Sequence, residues 1–389
     1  MKRIYLDYAS TTPVDKRVFE AMKPYFSDDF ENASALYSGA QKTKQAIENS
    51  RAATAKFLNC SSDEVVFTSG GTESDNLAIF GSLKTFKKGH IITTIIEHPA
   101  VLEPLKELEK RGFDVTYLKP GKSGIITVKQ VKDALRSDTL LVSIMYANNE
   151  IGTIQPIKEI SKVIRNFKNS QLAIRNSQLD IYPLFHTDAC QATGYLNMNV
   201  VDLGVDLLTL NGSKIYAPKG VGVLFIKQGI KISPLMLGGE QEMGLRAGTE
   251  NVSSIVGLSK ALSIISKKDY IHEKKLQDYL ISKLLKINNI RLNGSIKRLP
   301  NNINISVEGI EGESLVLYLD RKGIEIATGS ACSSKSLEPS RIITAISNEE
   351  IAHSSLRITI GRFTTRAELD IFLKEFKDSV YKLREMSAL

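Results

Sequence analysis

Val65-Val66-Phe67-Thr68 runs directly into Ser69-Gly70-Gly71-Thr72, which joins a predicted strand to a predicted helix. Apolar and β-branched residues in the first part favour a short buried strand. Two successive glycines let the backbone approach a bound group closely, and the N-terminus of the following helix offers N–H donors to a phosphate. A simple capping turn with Thr72 as the N-cap explains the same residues. The pattern therefore leaves a phosphate site and a structural turn both open.

Short apolar runs and amphipathic stretches alternate from about residue 60 onward. The predicted strands are 65–68, 90–96, 114–118, 140–146, 182–186, 206–210 and 221–226, with helices at 73–86 and 100–111. This alternation predicts an α/β architecture with a mainly parallel sheet covered on both faces. After about residue 260 the pattern changes to a helical run at 260–287, strands at 302–307 and 356–360, and helices at 313–322 and 366–384. That change predicts a second, smaller α+β domain.

Composition excludes several classes of protein. Lys and Arg exceed Asp and Glu by 51 to 43, but the basic residues are scattered and form no stripe typical of nucleic-acid binding. No apolar run approaches the roughly 18 residues that a membrane span needs, and Asp7 interrupts the segment where a signal peptide would be apolar. Cys60, Cys190 and Cys332 form no CxxC pair, so neither a disulfide framework nor a zinc site is expected. We predict a cytoplasmic location and no resident metal.

Lys214 is the most informative single residue. It follows an apolar strand-like run, and burial would let it act as amine nucleophile and base, holding an aldehyde cofactor as a Schiff base. Upstream, Asp188 ends a predicted strand, where it could keep a ring nitrogen protonated, and Gln191 could donate to a ring oxygen. His98 could stack on such a ring and move protons. A solvated lysine and a helix-capping Asp188 remain alternatives.

Cys332 lies in a run of small polar residues, Gly329-Ser-Ala-Cys-Ser-Ser-Lys335, which predicts an exposed loop suited to a nucleophile that must travel. Cys60 and Cys190 lack this setting, and we interpret them as buried, inert thiols. Arg357, on a predicted strand, could bind a carboxylate through two hydrogen bonds or form a structural ion pair.

Together these residues resemble the cysteine desulfurases, pyridoxal-phosphate enzymes of the class V aminotransferase group with the fold type I architecture. The resemblance spans nearly the whole chain, and any one motif alone would be weak evidence. The matching motifs are, in chain order, Tyr5-Leu-Asp-Tyr-Ala-Ser-Thr-Thr-Pro13, Thr68-Ser-Gly-Gly-Thr-Glu-Ser-Asp-Asn76, Glu97-His98, Asn148-Asn-Glu-Ile-Gly152, His186-Thr-Asp-Ala-Cys-Gln191, Lys214, Leu245-Arg-Ala-Gly-Thr-Glu-Asn251, Gly329-Ser-Ala-Cys332 and Ser354-Ser-Leu-Arg357.

The resemblance implies a catalytic, substrate-binding or cofactor-binding role for each of these residues. Lys214 would carry pyridoxal phosphate and remove the substrate Cα proton, while Cys332 would attack the sulfur of bound cysteine. Asn149 and Arg357 would position the substrate carboxylate. The implied cofactor-binding residues are Gly71, Thr72, His98, Asn149, Asp188, Gln191, Asn211, Ser213, Lys214 and Thr249. The implied domains are a large cofactor-binding domain, 15–260, and a small domain, 1–14 plus 261–389, that carries the cysteine loop.

The implied activity is that of an L-cysteine desulfurase, which gives L-alanine and a persulfide on Cys332 for iron–sulfur cluster assembly or tRNA thiolation. The sulfur acceptor would be a scaffold or carrier protein, with Cys332 a transient ligand of a nascent cluster. Thr249 would reach the phosphate of a neighbouring subunit, which implies a homodimer. The alternatives are a selenocysteine lyase, in which a thiol is less essential, and a catalytically weak scaffold for sulfur assembly.

The chain departs from the family pattern in the residues before the lysine. Asn211-Gly212-Ser213-Lys214 stands where the family has Ser-Gly-His-Lys, so two expected phosphate contacts change type. The segment Asn169 to Leu179 is also extra, and we interpret it as an insertion in a surface connection.

Overall fold

The computed structural model describes residues 3–172, 181–329 and 339–387. The strands in these ranges are β1 Ile4–Tyr5, β2 Val65–Thr68, β3 His90–Thr94, β4 Asp114–Leu118, β5 Thr139–Ser143, β6 Leu184–Asp188, β7 Leu207–Asn211, β8 Gly222–Ile226, β9 Ile290–Leu292, β10 Asn302–Val307, β11 Ile324–Glu325 and β12 Ser355–Thr359. The helices are α1 Lys16–Met22, α2 Pro24–Ser27, α3 Ser38–Leu58, α4 Gly71–Leu83, α5 Pro99–Lys110, α6 Val128–Ala134, α7 Ile157–Leu172, α8 Val200–Leu203, α9 Val252–Ser263, α10 Lys267–Leu284, α11 Gly312–Asp320, α12 Arg341–Ile346, α13 Glu349–His353 and α14 Arg366–Ser387.

A seven-stranded sheet in the order β2-β8-β7-β6-β5-β3-β4 dominates the fold. Only β8 within it is antiparallel to its neighbours, and the other pairings are parallel. Successive residues point to opposite faces. Phe67 and Ile92 accordingly belong to one apolar core, and Val66 and Ile91 to another. The predicted mainly parallel sheet with both faces covered is confirmed.

Two smaller sheets follow. Strands β12, β10 and β9 form an antiparallel sheet, while β1 pairs in parallel with β11. Helices α10, α11 and α14 pack together around a third apolar core, which includes residues of β1, β10 and β12. The first strand of the chain therefore joins elements from its last third. The boundaries at 14/15 and 260/261 stay a prediction.

The single helical run predicted at 260–287 is wrong. The structure contains two helices, α9 and α10, because the hydroxyl of Ser266 accepts a hydrogen bond from the Lys268 N–H and starts a new helix there. Asn251 caps α9 in the same way, accepting from the N–H of Ser254, so that helix begins earlier than predicted. The predicted insertion, Asn169 to Leu179, lies outside the described residues beyond Leu172, the last residue of α7.

A buried ion pair ties α3 to the edge of the large sheet. The Arg51 guanidinium donates to both oxygens of Glu242, at 2.8 and 2.7 Å, and to the carbonyl oxygen of Val65 at 2.7 Å. Glu242 also accepts from the N–H of Phe67 at 2.7 Å. The pair therefore fixes strand β2 immediately before the Ser69–Thr72 turn.

We expect Glu242→Ala to lower the free energy of unfolding by about 3–5 kcal/mol, because it removes the buried partner of Arg51 and leaves only the half-exposed Glu48, 3.5 Å from Arg51 Nε. Urea unfolding of the two proteins measures this difference. Lys106→Ala is the matched control, since Lys106 pairs with Glu103 at 2.8 Å on an exposed surface, and we expect a change of at most about 1 kcal/mol. Equal losses of unfolding free energy in the two variants would show that the buried ion pair stabilises the fold no more than the exposed pair does.

Glu273 on α10 gives a pH-dependent prediction. It is buried, and desolvation raises the pKa of its carboxyl from 4.5 to about 8 against the opposing effect of a hydrogen bond with Tyr195. As pH rises from 4.5 to 8, the unfolded state loses this proton before the folded state does, so the folded state loses stability. Glu273→Gln removes this penalty, and we expect its stability relative to wild type to increase across the window, on the order of 5 kcal/mol at most. A stability difference that stays constant from acid to alkaline pH would contradict the buried, protonated carboxyl.

Candidate active site

A cavity of about 260 Å³ lies at the carboxyl ends of the parallel strands. Asp188 ends β6, Asn211 ends β7, and His98 follows β3, so three strand ends contribute side chains to it. This is where open α/β sheets bind their ligands. The cavity brings together most of the predicted site residues, namely Gly71, Thr72, His98, Asn149, Asp188, Gln191, Asn211, Lys214 and Arg357.

Helix α4 begins at this cavity without a capping side chain. Its N-cap is Gly70, at φ 151°, a conformation that favours glycine. A Cβ on Gly71 would come within 2.8 Å of the Cys190 sulfur, so the backbone packs too closely there for a larger residue. Thr72 is the second residue of the helix rather than its cap. The capping-turn interpretation of Thr72 is therefore wrong, and the first turn presents N–H groups that no side chain caps.

Asp188 and His98 are both fixed by short-range hydrogen bonds. Asp188 is 8% exposed, and its Oδ1 accepts from the Cys190 N–H at 2.9 Å, so it caps a turn rather than a helix. His98 is the N-cap of α5, where its Nδ1 accepts from the Ala100 N–H at 3.1 Å. An accepting Nδ1 places the proton of a neutral imidazole on Nε2. Burial lowers the pKa of His98, which favours that neutral form.

Lys214 follows β7 in a short 3₁₀ turn, and its Nζ donates to the carbonyl oxygen of Ser10. Gln191 donates from Nε2 to the carbonyl oxygen of Ala9 at 2.9 Å. The N-terminal segment thus forms one wall of the cavity and contacts two of the predicted functional groups.

Arg357 belongs to β12 in the smaller antiparallel sheet and is 1% exposed. It donates to Asp7 Oδ1 at 2.7 Å and to the Asn149 carbonyl oxygen at 3.1 Å. The structural ion pair expected as one alternative is therefore present. The Nε of Arg357 is nonetheless buried without a hydrogen-bond partner in the described ranges, so the residue retains a donor for a ligand.

Two residues that line the cavity, Asn149 and Asp75, each have a buried side-chain oxygen, Oδ1, that is unpartnered within the described part of the chain. Leaving such a group unsatisfied costs about 1–3 kcal/mol. A ligand that completes these hydrogen bonds would recover part of that cost.

Two of the predicted residues that the structure describes do not line this cavity. Ser213 does not line it, although its hydroxyl donates to Asn211 Oδ1 at 3.2 Å. Thr249 lines a separate cavity of about 240 Å³, together with Ser69 and Gly220. Cys332 lies outside the described residues.

An Aminotransferase class-V family model matches residues 4–372. A cysteine desulfurase IscS from Dictyoglomus turgidum is 49% identical, with 100% of this chain and 97% of the relative covered. The chain belongs to the cysteine desulfurases of the class-V aminotransferase family. The cysteine desulfurase IscS of Methanosarcina thermophila is 48% identical over 100% of this chain and 94% of its own length.

Solved structures agree with this family assignment. A NifS-like protein superposes with a TM-score of 0.89 at 33% identity, covering 98% of this chain and 100% of its own. SspA in complex with cysteine gives a TM-score of 0.81 at 36% identity, covering 94% and 100%. The predicted fold type I architecture of this cysteine desulfurase is confirmed.

The described residues on either side of the Cys332 segment meet beside the cavity. Ser340 donates from its hydroxyl to Oε2 of Glu150, and a Cβ on Gly329 would lie 3.3 Å from the same oxygen. Glu150 follows Asn149, which lines the cavity. Arg341 donates to the carbonyl oxygen of Glu97 at 2.7 Å. The ends of this segment in the cysteine desulfurase are therefore anchored next to the proposed substrate site.

Sequence reasoning missed two ionisable residues that line the cavity of this cysteine desulfurase, Asp75 and Cys190. Asp75 lies one helical turn after Gly71, and an acid on the buried face of a helix was the available signal. Cys190 is buried as predicted, and desolvation raises the pKa of its thiol far above the ordinary value. Cys60 is partly buried, and desolvation raises its pKa to about 12. Neither thiol is suited to act as a thiolate.

Proposed function

We infer that this chain is an L-cysteine desulfurase, which converts L-cysteine to L-alanine and keeps the sulfur as a persulfide on Cys332. The observation that carries the inference is the cavity itself, which gathers an amine, Lys214, a carboxylate, Asp188, and a guanidinium, Arg357, in a chain of this family. A solved neighbour, SspA, is described in complex with cysteine, which supports the same amino acid as substrate here.

The donor set of the cavity fits pyridoxal 5'-phosphate. We propose that the N–H groups of the first turn of α4, with Gly71 and Thr72, hold the phosphate, since a helix N-terminus favours an anion. Asp188 would pair with the ring nitrogen and Lys214 would bind the aldehyde carbon. The other proposed contacts to the cofactor are His98, Asn149, Gln191, Asn211 and Ser213.

When bound, pyridoxal phosphate supplies an electron sink that weakens the bonds at the substrate's α and β carbons. Lys214 Nζ removes the Cα proton, and the Asp188 carboxylate holds a proton at the ring nitrogen. Arg357 Nε, which donates to no described atom, would donate to the substrate carboxylate. Asn149 would donate to the same carboxylate from its side-chain NH₂ group, as the family resemblance implies. Sγ of Cys332 bonds to the substrate sulfur as the bond from that sulfur to Cβ breaks.

The proposal extends to partners. Thr249 lies away from the cavity that contains Lys214, which supports a role at the phosphate of a neighbouring subunit and hence a homodimer. Ser336-Leu-Glu-Pro-Ser340, after Cys332, supports transfer to an iron–sulfur scaffold or a sulfur-carrier protein by its resemblance to enzymes with a long cysteine loop. None of the helices in the described ranges is long and apolar enough to cross a membrane. The cytoplasmic location stays a prediction.

Incubating the purified protein with L-cysteine and a thiol reductant tests the activity. We expect alanine and sulfide in equal amounts. Equal turnover of L-selenocysteine, with no dependence on Cys332, would favour a selenocysteine lyase instead. A protein that stays colourless with added pyridoxal phosphate and forms neither product would favour the non-catalytic scaffold, the alternative suggested by Asn211 and Ser213.

A further inference from the structure

Two buried carboxyl groups line the cavity, and the proposed function uses only one of them. Asp188 ends β6, and Asp75 lies in α4. Asp75 is 1% exposed, and no atom of the described residues forms a hydrogen bond with its Oδ1. An isolated carboxylate is costly to bury, so it keeps its charge only when a cation or several donors compensate it.

Among the residues that the structure describes, the side chains that face Asp75 provide no such cation. Asp188 and, more weakly, Glu97 disfavour a further negative charge on Asp75, and burial raises the pKa of Glu97 itself to about 8. A hydrogen bond with the Thr209 hydroxyl acts in the opposite direction and lowers the pKa of Asp75. The Nε2 atom of His186 lies 3.6 Å from Asp75 Oδ1. Burial lowers the pKa of His186 to about 4, so this imidazole is neutral at ordinary pH. Desolvation, followed by the charge of Asp188, holds the pKa of Asp75 well above its usual range.

The other ionisable groups lining the cavity are engaged elsewhere. Lys214 donates to the carbonyl oxygen of Ser10, and Arg357 pairs with Asp7. Burial favours the neutral form of His98. Neither Lys214 nor Arg357 is therefore among the described groups that act on Asp75.

A chain of hydrogen bonds leads away from Asp75 through three neutral groups. Thr209 Oγ1 is 3.1 Å from His186 Nε2, and His186 Nδ1 is 2.8 Å from Ser143 Oγ. A protonated Asp75 would donate to Thr209, Thr209 to Nε2, and Nδ1–H to Ser143. In this arrangement Thr209 and His186 each donate one hydrogen bond and accept one, and no group of the chain carries a charge. An ionised Asp75 would reverse every donor in this chain and place a second negative charge beside Asp188.

We propose that Asp75 is a positioning residue that stays protonated, so that the two carboxyls together carry one negative charge, located on Asp188 where the cofactor's ring nitrogen binds. Adjacent buried carboxyls ordinarily share one proton. Asp188 Oδ1 accepts the Cys190 N–H, which favours its ionised form, whereas no described donor reaches Asp75 Oδ1. This difference assigns the shared proton to Asp75 and leaves Asp188 able to hold a proton on the ring. This inference rests on the proposed function, because it concerns the same cofactor.

Infrared spectroscopy of the wild-type holoenzyme and its Asp75→Asn variant reads the protonation state directly. We expect wild type at neutral pH to show a carboxylic-acid C=O band that shifts in D₂O and is lost in Asp75→Asn. Asp133→Asn is the matched control, because Asp133 is an exposed carboxylate paired with Lys129, and its spectrum should keep the band. Identical acid regions in wild type and Asp75→Asn would overturn the proposal.

A second measurement distinguishes a positioning role of Asp75 from a purely structural role in packing. Asparagine is a neutral isostere that can still donate to Thr209, so the dissociation constant for pyridoxal phosphate should stay within about fivefold of wild type. The visible spectrum of the bound cofactor should respond to alkaline pH in wild type as Asp75 ionises, and Asp75→Asn should lack that step. An unchanged alkaline titration in the variant would overturn the assignment of the proton. A wild-type protein that binds no pyridoxal phosphate would instead overturn the proposed function and this inference with it.

Discussion

Lys214→Ala is expected to abolish the formation of both alanine and sulfide from L-cysteine, with turnover falling by more than about 1,000-fold. The reason is that Nζ of Lys214 has two tasks in the proposal, binding the cofactor's aldehyde carbon and removing the substrate Cα proton. Alanine quantified by chromatography and sulfide quantified by a colorimetric assay give the two rates independently.

The control for this change is Lys106→Ala, an exposed lysine of α5 that lies outside the cavity. It should retain the wild-type rate of both products. If Lys214→Ala kept even a tenth of the wild-type rate while its fold was intact by circular dichroism, the catalytic role of this amine would be wrong.

Cys332→Ser should lower sulfide release on the order of 100-fold while the protein still binds the cofactor and keeps its yellow colour. A hydroxyl is a far weaker nucleophile toward sulfur than a thiolate, so the sulfur stays on the substrate. Absorbance of the bound cofactor and sulfide release, measured on the same sample, separate loss of the nucleophile from loss of the cofactor.

Cys60→Ser provides the matched control for that experiment. Cys60 is partly buried on another side of the protein, and burial raises its pKa to about 12, so its thiol should contribute nothing to turnover. Full turnover in Cys332→Ser would show that no persulfide forms on this residue, and it would favour the selenocysteine lyase alternative.

The core of the fold could be predicted because its signals are local. Val65–Thr68, which is buried, and Asp114–Leu118, which is partly exposed, are short runs bounded by turns, and the structure has both strands at the predicted residues. The split between α9 and α10 was missed because one capping serine, Ser266, interrupts a stretch whose apolar pattern continues. A single capping side chain can set where a helix begins even though the apolar pattern of the sequence continues through that position.

The site could be predicted only where a residue's chemistry is specific in itself. Lys214, Asp188 and His98 stand at strand ends, and parallel strand ends converge, so their meeting in one cavity follows from the sheet. Asp75 was missed because its role depends on the side chains that face it from the large sheet. These are Thr209 on β7 and His186 on β6. No spacing in the sequence reveals that the environment of a carboxyl lacks a cation.

The central claim is that the Nζ atom of Lys214 bonds covalently to pyridoxal phosphate. Reducing the pyridoxal phosphate-loaded protein with borohydride, digesting it and mapping the peptides by mass spectrometry tests this directly. The account predicts one stable adduct, on the peptide containing Lys214, and none at that position in Lys214→Ala. An adduct at a different lysine, or no adduct in a protein saturated with pyridoxal phosphate, would contradict it.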